Sequence, residues 1–280
     1  MLNFRPLTTS EIHAGLALCR AAHWNQLRRD WELFLHLNPL SCYAAFDDEQ
    51  MIGTVATARY EARFGWIGMM LVAPTHRRQG IGTALMRQAM EILRDVETVR
   101  LDATPAGREV YRKLDFIDEY HLHRLEAVVS GDGLVASTAR LLTPADWPAI
   151  SAMDRRVFGA DRRTVLEWLH ADAPHYAWVV DGANGLRGYC LGRHGYNFEH
   201  LGPVVADDLA TAQQLVSACL RDHAGKTFLL DAAPHNAEWL RWLGLLGFTE
   251  QRPFIRMYRG SNRYPGLPEH QFAILGPEFG

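Results

Sequence analysis

Apolar residues recur at a helical spacing in two parts of the first half of the chain. Four of them share one face of a predicted helix that follows a glycine-containing turn: Ile81, Leu85, Ala89 and Ile92. Near the start of the chain, Thr8 or Ser10 could cap a helix that runs to about Ala22. The segment DWELFLHL then predicts a second short helix.

Between these helices the pattern is typical of strands. CYAAFDDEQMIGTVATARY predicts two strands joined by an Asp-rich turn, and FGWIGMMLV predicts a buried strand that Pro74 stops. TVRLDAT and YHLHRLEAV predict two further strands, with a short helix, GREVYRKL, between them. Two helices, a strand meander and then β-α-β-α-β predict an α+β fold: a mixed, twisted sheet with helices on both sides.

The second half of the chain repeats the plan of the first. FRPLTTSE near the start matches ARLLTPAD in the middle, and VYRKLDF, ending at Phe116, matches RWLGLLGF, ending at Phe248. The two matched pairs lie at nearly the same separation, which predicts a duplicated domain. The segment VVSGDGLVAST is rich in Gly and Ser and is suited to a linker. We therefore predict two tandem domains, residues 1–129 and residues 137–280.

Composition limits the class of protein. The 280 residues are 48% hydrophobic and 22% charged, with a formal net charge of −3, as is ordinary for a globular protein. So small a net charge gives no overall attraction to nucleic acid or to an anionic membrane. No apolar run approaches the roughly 20 residues of a membrane span, and the start lacks the apolar core of a signal peptide. We expect a cytoplasmic protein with neither nucleic-acid nor membrane partners.

The cysteines and histidines do not form a recognisable metal motif. The four cysteines are far apart and contain no CxxC pair, and the 13 histidines give no HExxH. We therefore expect reduced thiols and no metal. The cysteines are Cys19, Cys42, Cys190 and Cys219.

The segment HRRQGIGTALM joins a buried strand to a helix and has the features of an anion site. No Ser, Thr, Asp or Asn directly precedes the helix, so its first backbone N–H groups lack a side-chain cap. The glycines let a ligand approach the backbone closely, and Arg77 and Arg78 add positive charge. The N–H groups belong to Gln79, Gly80, Ile81, Gly82 and Thr83. This arrangement suits a pyrophosphate, but it matches neither GxGxxG nor GxxxxGK[ST].

Three segments resemble a known family. MLVAPTHRRQGIGTALM resembles the acetyl-CoA signature of the GCN5-related N-acetyltransferases (GNAT), in which an apolar strand and V-x-P precede [RQ]-x-x-G-x-G. GREVYRKLDF is similar to the later LYxKxGF helix of that family, although Asp115 stands at the family's glycine. HWNQ and DWELFLHLNP further resemble a subgroup with two tandem acetyltransferase domains. The resemblance implies an acetyl-CoA-dependent N-acetyltransferase.

The resemblance also implies roles for individual residues. Residues 77–83 would wrap the CoA pyrophosphate, and the strand residues Met70, Leu71 and Val72 would bind the thioester carbonyl and the pantetheine arm. Tyr111 would lie beside the cofactor sulfur. An amine would attack the thioester directly, the N–H of Met70 would stabilise the oxyanion, and Tyr111 would protonate the leaving thiolate.

The acceptor side is less determined by the sequence. Glu61, Asp102 and His121 are alternative acceptors for the proton of the amine. Trp24 and Asn25 could line the acceptor pocket, or could equally be a buried anchor and a cap. We expect a small-molecule amine as acceptor and a monomer or homodimer. The alternatives are a non-catalytic acetyl-CoA sensor and an enzyme that acetylates proteins.

The second copy has the elements of the first but not its chemistry. At the place of the glycine turn it reads LGPVVADDLATAQQLV, so Asp207 or Asp208 would cap the helix and repel phosphate. Leu243 replaces Tyr111. We predict that this copy keeps the fold without the cofactor site, and that it shapes the acceptor site or buttresses the first domain. The segment Phe272 to Leu275 predicts a short strand that covers an edge or crosses to the other domain.

Overall fold

The structure is a computed structural model that describes residues 1–183 and 185–280. The elements of the first copy are β1 (Leu2–Pro6), α1 (Ile12–Ala21), α2 (Arg28–Leu37), β2 (Cys42–Asp47), β3 (Gln50–Tyr60), β4 (Phe64–Val72), α3 (Ile81–Ile92), β5 (Thr98–Ala103), α4 (Pro105–Arg112) and β6 (Ile117–Val128). Those of the second copy are β7 (Arg140–Leu141), α5 (Trp147–Phe158), α6 (Arg163–Asp172), β8 (Trp178–Gly182), β9 (Gly185–Arg193), β10 (Glu199–Ala206), α7 (Leu209–Arg221), β11 (Thr227–Ala232), α8 (Ala237–Leu245), β12 (Thr249–Gly260) and β13 (Gln271–Ala273).

Local sequence signals explain where the elements of the first copy begin. The helix predicted from the apolar stripe is α3, and the predicted buried strand is β4. The helix predicted from GREVYRKL begins at Pro105, earlier than expected, because the Thr104 side chain caps it by accepting a hydrogen bond from the Gly107 N–H. The first helix follows a single 3₁₀ turn in which Glu11 accepts a hydrogen bond from the Thr8 N–H.

All thirteen strands found in the described residues form one mixed sheet. Its order is β1-β2-β3-β4-β5-β12-β6-β11-β13-β10-β9-β8-β7. The predicted α+β class and the tandem arrangement are confirmed. The sequence did not predict that the sheets of the two copies would join.

The two copies are joined because they exchange their last strands. Strand β12, from the second copy, pairs with β5 of the first, while β6, from the first copy, pairs with β11 of the second. β6 and β12 pair antiparallel with each other at the centre of the sheet. A cut between residues 129 and 137 would divide the sequence repeat, but it would not divide the sheet.

An equivalent buried ion pair holds each exchanged strand. Arg256 of β12 donates two hydrogen bonds of 2.8 Å to Asp102 of β5, and Arg124 of β6 donates two of 2.7 Å to Asp231 of β11. All four side chains are almost completely buried. Burial opposes the negative charge of Asp231, but Arg124 and His200 outweigh that cost, so the pKa of Asp231 lies well below its usual range.

Helices cover both faces of the sheet. In the first copy, α1 and α2 pack on one face of β3, and α3 packs on the other face of β2, β3 and β4. The face that carries α1 and α2 shares a single apolar cluster with α5 and α6 of the second copy. No helix in the described ranges is long and apolar enough to cross a membrane.

Residues 271–280 cross from the second copy to the first. Strand β13 inserts between β10 and β11, and the chain then runs into the apolar cluster that the copies share. There the Phe279 ring stacks on Phe34 with 4.5 Å between centroids, and its carbonyl accepts a hydrogen bond of 2.7 Å from the Tyr60 hydroxyl. The Pro277 carbonyl accepts one of 3.0 Å from Trp66. The predicted strand therefore lies inside the sheet, and the segment after it makes the predicted crossing.

Candidate active site

A bulge interrupts β4 next to its neighbour β3. Leu71 pairs with Thr54, but Gly68 pairs with Ala56, so Met69 and Met70 occupy the place of one residue. Met69 takes φ +52°, and its carbonyl accepts a hydrogen bond of 2.9 Å from the Thr54 hydroxyl. Left-handed backbone is costly for a residue with a branched or long side chain, and such strain is concentrated at functional sites.

Beyond the bulge, β4 and β5 separate. The parallel pairing between them covers Gly65–Val99 and Trp66–Arg100, and the strands diverge after that point. The gap opens into a cleft with about 600 Å³ of space that no atoms fill. Its walls are Trp24, Gln26, Ile67, Gly68, Met69, Met70, Leu101, Asp102, Thr104, Tyr111, Arg124, Arg252, Phe254, Pro277 and Glu278. The bulge places Met70 outside the regular register of β4 with β3 and β5 in the described residues, in the wall of this gap.

The glycine turn presents the start of α3 beside the bulge. Gly80 is the N-cap residue at φ +80°, Arg78 precedes it at φ +62°, and no side chain of the described residues caps the helix. A Cβ atom at Gly80 would meet nothing within 4 Å, so glycine is needed there for its backbone conformation. A Cβ atom at Gly82 would lie 3.1 Å from Met70 Cε. The free helix end and the bulge are therefore adjacent, and Arg77 and Arg78 are exposed at the rim.

Tyr111 reaches the cleft from the last turn of α4. Its ring lies against Gly107 and Phe116, with 6.1 Å between the two ring centroids. Burial raises the pKa of its hydroxyl to about 12. The turn after α4 places Asp115 at φ +64°, and the matching residue of the second copy, Gly247, has φ +89°. Aspartate can adopt this conformation, so the departure from the family's glycine leaves the position of Tyr111 intact.

The structure separates the three alternative proton acceptors. Glu61 lies in the turn between β3 and β4, where its carboxylate pairs with Arg155 of the second copy at 2.8 Å. His121 is exposed on β6, outside the walls of the cleft. Asp102 does line the cleft and burial raises its pKa, but both of its oxygens accept hydrogen bonds from Arg256. The carboxylate equivalent to Asp102 in the other copy, Asp231, is bound in the same way, so this pairing belongs to the fold.

Both halves of the chain match sequence models of one family. Residues 12–116 match the acetyltransferase (GNAT) family, and residues 150–273 match the acetyltransferase (GNAT) domain. The chain belongs to the GNAT superfamily. It carries two GNAT domains in tandem, as its sequence predicts.

Full-length relatives extend the match over nearly the whole chain. Holothin acyltransferase from Pseudoalteromonas sp. (strain SANK 73390) is 25% identical over 263 residues, which are 93% of this chain and 88% of the relative. The crystal structure of a proposed acetyltransferase from Pyrococcus horikoshii superposes with a TM-score of 0.83 at 24% identity, over 100% of this chain and 96% of that one. A tandem GNAT protein from the clavulanic acid biosynthesis pathway superposes with a TM-score of 0.65 at 16% sequence identity. The match covers 93% of this chain and 98% of that one. The chain is an N-acetyltransferase by family, and acyl transfer is its class of reaction.

The two residues that the sequence suggested for the acceptor pocket of this GNAT enzyme differ in role. Trp24 lines the cleft. Asn25 is buried between the domains, where its side chain donates to the Phe198 carbonyl at 2.9 Å and accepts from the Asn197 N–H at 2.8 Å. Asn25 therefore fixes the loop between β9 and β10 by accepting from its backbone N–H groups, and it does not line the cleft.

Sequence reasoning missed which residues of the second GNAT domain line the cleft. Arg252 and Phe254 reach the cleft on the exchanged strand β12, and Pro277 and Glu278 reach it on residues 271–280. Glu278 is buried and forms an ion pair with Arg193. Burial opposes the negative charge of Glu278, but Arg193 and His200 outweigh that cost, so its pKa lies below the usual range. The sequence repeat could have indicated the contribution of β12, because it places β6 and β12 in equivalent positions of the two copies.

The second GNAT domain closes its own equivalent of the cleft. Strands β10 and β11 also pair over only two residues before they diverge, but β13 fills the gap. Asp208 caps α7 by accepting a hydrogen bond of 2.8 Å from the Thr211 N–H. Leu243, at the position of Tyr111, is fully buried in the core. This domain keeps the fold and has a blocked cleft.

Neither a disulfide nor a cluster of metal-binding side chains is found among the described residues. Cys19, Cys42, Cys190 and Cys219 are all free and buried. Across residues 1–183 and 185–280, no group of three His, Cys, Asp or Glu side chains comes together that could hold a metal ion.

Proposed function

We propose that the protein transfers an acetyl group from acetyl-CoA to the primary amine of a small molecule, by direct attack. One observation carries the proposal: an uncapped helix start, a strand bulge and a half-buried tyrosine surround the gap between β4 and β5. The helix start suits the pyrophosphate, while Met70 and Val72 lie beside Gly82 and so adjoin the same turn. Arg77 and Arg78 add positive charge at the rim. The pantetheine arm would then enter the gap and bring the thioester to Met70 and Tyr111.

The reaction forms one bond and breaks another. The amine nitrogen attacks the thioester carbonyl carbon, a C–N bond forms, and the tetrahedral intermediate then expels the sulfur as a thiolate. The N–H of Met70, at the bulge where the regular register of β4 is broken, would donate to the oxyanion. A fixed donor of this kind is worth about 2.7–4 kcal/mol in other acyl transfers.

Tyr111 supports the departure of the thiolate as a hydrogen-bond donor. Its pKa of about 12 keeps it protonated at neutral pH, whereas an ordinary thiol has a pKa of about 8.5. Complete transfer of the tyrosine proton to the thiolate is therefore unfavourable. The proton that the thiol finally holds comes from the attacking amine or from solvent, and Tyr111 stabilises the charge until it arrives.

The cleft offers hydrogen-bond acceptors to the amine. Glu278 Oε2 and Gln26 Oε1 are buried and have no donor in the part of the chain that the structure describes. Such atoms call for a water or a ligand group that donates, and an amine does so. Because the pKa of Glu278 is lowered, it is a weak proton acceptor, and we assign it to positioning the amine. The amine must then reach the site neutral, so the rate should rise with pH toward the pKa of the amine.

We further propose that the second domain shapes the acceptor site and binds no cofactor. It provides Arg252, Phe254 and Glu278 to the first domain, while its own gap is filled by β13. We therefore expect one acetyl-CoA per chain. The buried, free cysteines also suit the cytoplasm that we predict from the composition.

A panel of amines tests the proposal. The enzyme is incubated with acetyl-CoA and each amine, release of free CoA thiol is followed continuously, and products are identified by mass. We expect amine-dependent thiol release and a product heavier by one acetyl group. Replacing Glu278 with Gln should raise the KM of the amine more than it changes the affinity for acetyl-CoA. Thiol release that is independent of every amine would contradict acetyl transfer to an amine.

A further inference from the structure

We propose that Arg252 is a binding site for an anionic group of the acceptor, so that the natural substrate is an amine that also bears a carboxylate. The inference rests on the proposed function, because it names the class of amine that enters the same cleft. It starts from the surroundings of Arg252 on β12, and it concerns the acceptor because Arg252 lines the cleft and residues 77–83 do not.

Arg252 is a cation that no carboxylate of the described residues contacts directly, although Asp231 lies near enough to attract it. The Arg252 side chain is half-buried, its Nε atom has no hydrogen-bond partner, and it forms no ion pair with Asp or Glu in the described ranges. Directly opposite on β6 stands Arg124, whose charge is neutralised by Asp231. Like charges facing each other across two strands are destabilising. Burial and Arg124 outweigh the attraction of Asp231 and lower the pKa of Arg252 to about 10, which leaves it protonated at neutral pH.

The pseudo-symmetry of the exchanged strands shows that the fold does not require this arginine. In the equivalent place, Arg256 of β12 stands opposite Tyr120 of β6. The Tyr120 hydroxyl accepts a hydrogen bond of 2.8 Å from Arg256. In the sequence repeat, Arg124 corresponds to Arg256, and Arg252 corresponds to Tyr120. Arg124 therefore faces a second donor at the place where Arg256 faces a hydrogen-bond acceptor. Arg252, where the hydrogen-bond acceptor of the other pair is lost, also lines the cleft.

The chemistry of the site selects a carboxylate. Guanidinium groups bind planar oxyanions through paired hydrogen bonds, and one free positive charge matches one negative charge. Trp24 and Phe254 provide apolar walls beside it, and Glu278 is available to the amine. An amino carboxylic acid would place its carboxylate against Arg252 and its neutral amine beside Glu278.

Matched acceptors test this assignment. Each amino acid of a panel is compared with its carboxamide, which has nearly the same size without the charge: β-alanine, 4-aminobutyrate and L-phenylalanine. 2-Aminoethylphosphonate is tested beside β-alanine, because it carries a phosphonate in place of the carboxylate. We expect the wild type to prefer the acid over the amide by at least tenfold in kcat/KM. Arg252→Gln should reduce this ratio at least tenfold, mainly through the KM of the acid, and Arg252→Lys should retain part of it.

Two further measurements separate recognition from a structural role. Because Arg252 faces Arg124, Arg252→Gln should unfold at the same or a higher temperature than the wild type, whereas loss of a structural contact would lower it. In ¹⁵N-labelled protein, the arginine Nε–H signal that disappears in Arg252→Lys should shift on addition of an accepted acid and not of its amide. This readout needs no turnover, so it decides the inference even if acetyl transfer is not observed. Equal use of acid and amide, or a signal that no acid shifts, would overturn it, and preference for the phosphonate would overturn the choice of carboxylate.

Discussion

Replacing Tyr111 with Phe tests the chemistry of the proposed site most directly. The ring is fixed by Gly107 on one side and by Phe116 on the other, so phenylalanine should keep its place. The hydroxyl has no hydrogen-bond partner in the described part of the chain, and burial alone accounts for its raised pKa. The substitution therefore removes one donor from the cleft and little else.

The size of the effect follows from the charge that the donor would meet. A hydrogen bond to a charged group contributes about 1.5–3 kcal/mol, and the thiolate is charged only late in the reaction. We therefore expect kcat to fall by about 10- to 100-fold, since about 1.4 kcal/mol is one factor of ten. Acetyl-CoA affinity should change little, because the bound thioester is neutral. Stability should change by less than about 1 kcal/mol, since no hydrogen bond within the protein is lost.

The pH dependence gives a second readout of the same residue. Burial disfavours the phenolate and raises the pKa of Tyr111 to about 12, so the protonated form persists as pH rises to about 11. The wild-type rate should rise with pH as the amine becomes neutral, and it should show no later decline from Tyr111 below that pH. Tyr111→Phe should give the same profile at a lower level.

The assay is thiol release under single-turnover conditions, which isolates the chemical step. Tyr43→Phe is a matched control, because Tyr43 lies on β2 and outside the walls of the cleft. If kcat of Tyr111→Phe stayed within about twofold of the wild type, Tyr111 would be a packing residue. A decline of the wild-type rate above pH 9 that the variant lacks would show that its pKa is ordinary and that the burial argument fails.

Three other predictions concern binding and stability. Gly82→Val should weaken acetyl-CoA at least tenfold by calorimetry, about 1.4 kcal/mol, because its Cβ would lie 3.1 Å from Met70 Cε; Gly244→Val, in open space on α8, should not. The same titration should give one acetyl-CoA per chain, and a stoichiometry of two would contradict the blocked second cleft. Asp231→Asn should lower the free energy of unfolding by about 3–5 kcal/mol, since Arg124 stays buried without its partner, and the double variant Arg124→Met/Asp231→Leu should lose less; equal losses would refute this.

The sequence was sufficient for features that depend on neighbouring residues. The stripe of α3, the stop at Pro74 and the uncapped glycine turn are local, and so is the Asp208 cap of α7. The duplication was also visible, because repeated segments retain similar patterns. These features identified the fold and the turn that adjoins the cleft.

The partners of the last strands could not be predicted in this way. β6 and β12 have the same pattern of apolar and polar residues, and each would suit the sheet of either copy. Nothing in their local sequence therefore favours exchange over pairing within the same copy. Glu61 illustrates the consequence: it follows β3 beside the signature strand, but its carboxylate pairs with Arg155 from the second copy. The acceptor walls were missed for the same reason, since Arg252 and Glu278 lie far along the chain from the glycine turn.

One short segment connects the loss of the second cleft with the completion of the first. Strand β13 fills the gap between β10 and β11, and Glu278, a few residues later, lines the gap between β4 and β5. Any change that withdrew residues 271–280 would therefore open the second cleft and remove a wall of the first at once. Because β12 also crosses to the first copy, neither domain has a complete sheet alone. A chain of this kind cannot discard its second domain without breaking the sheet of the first, which gives a physical reason for the blocked copy to persist.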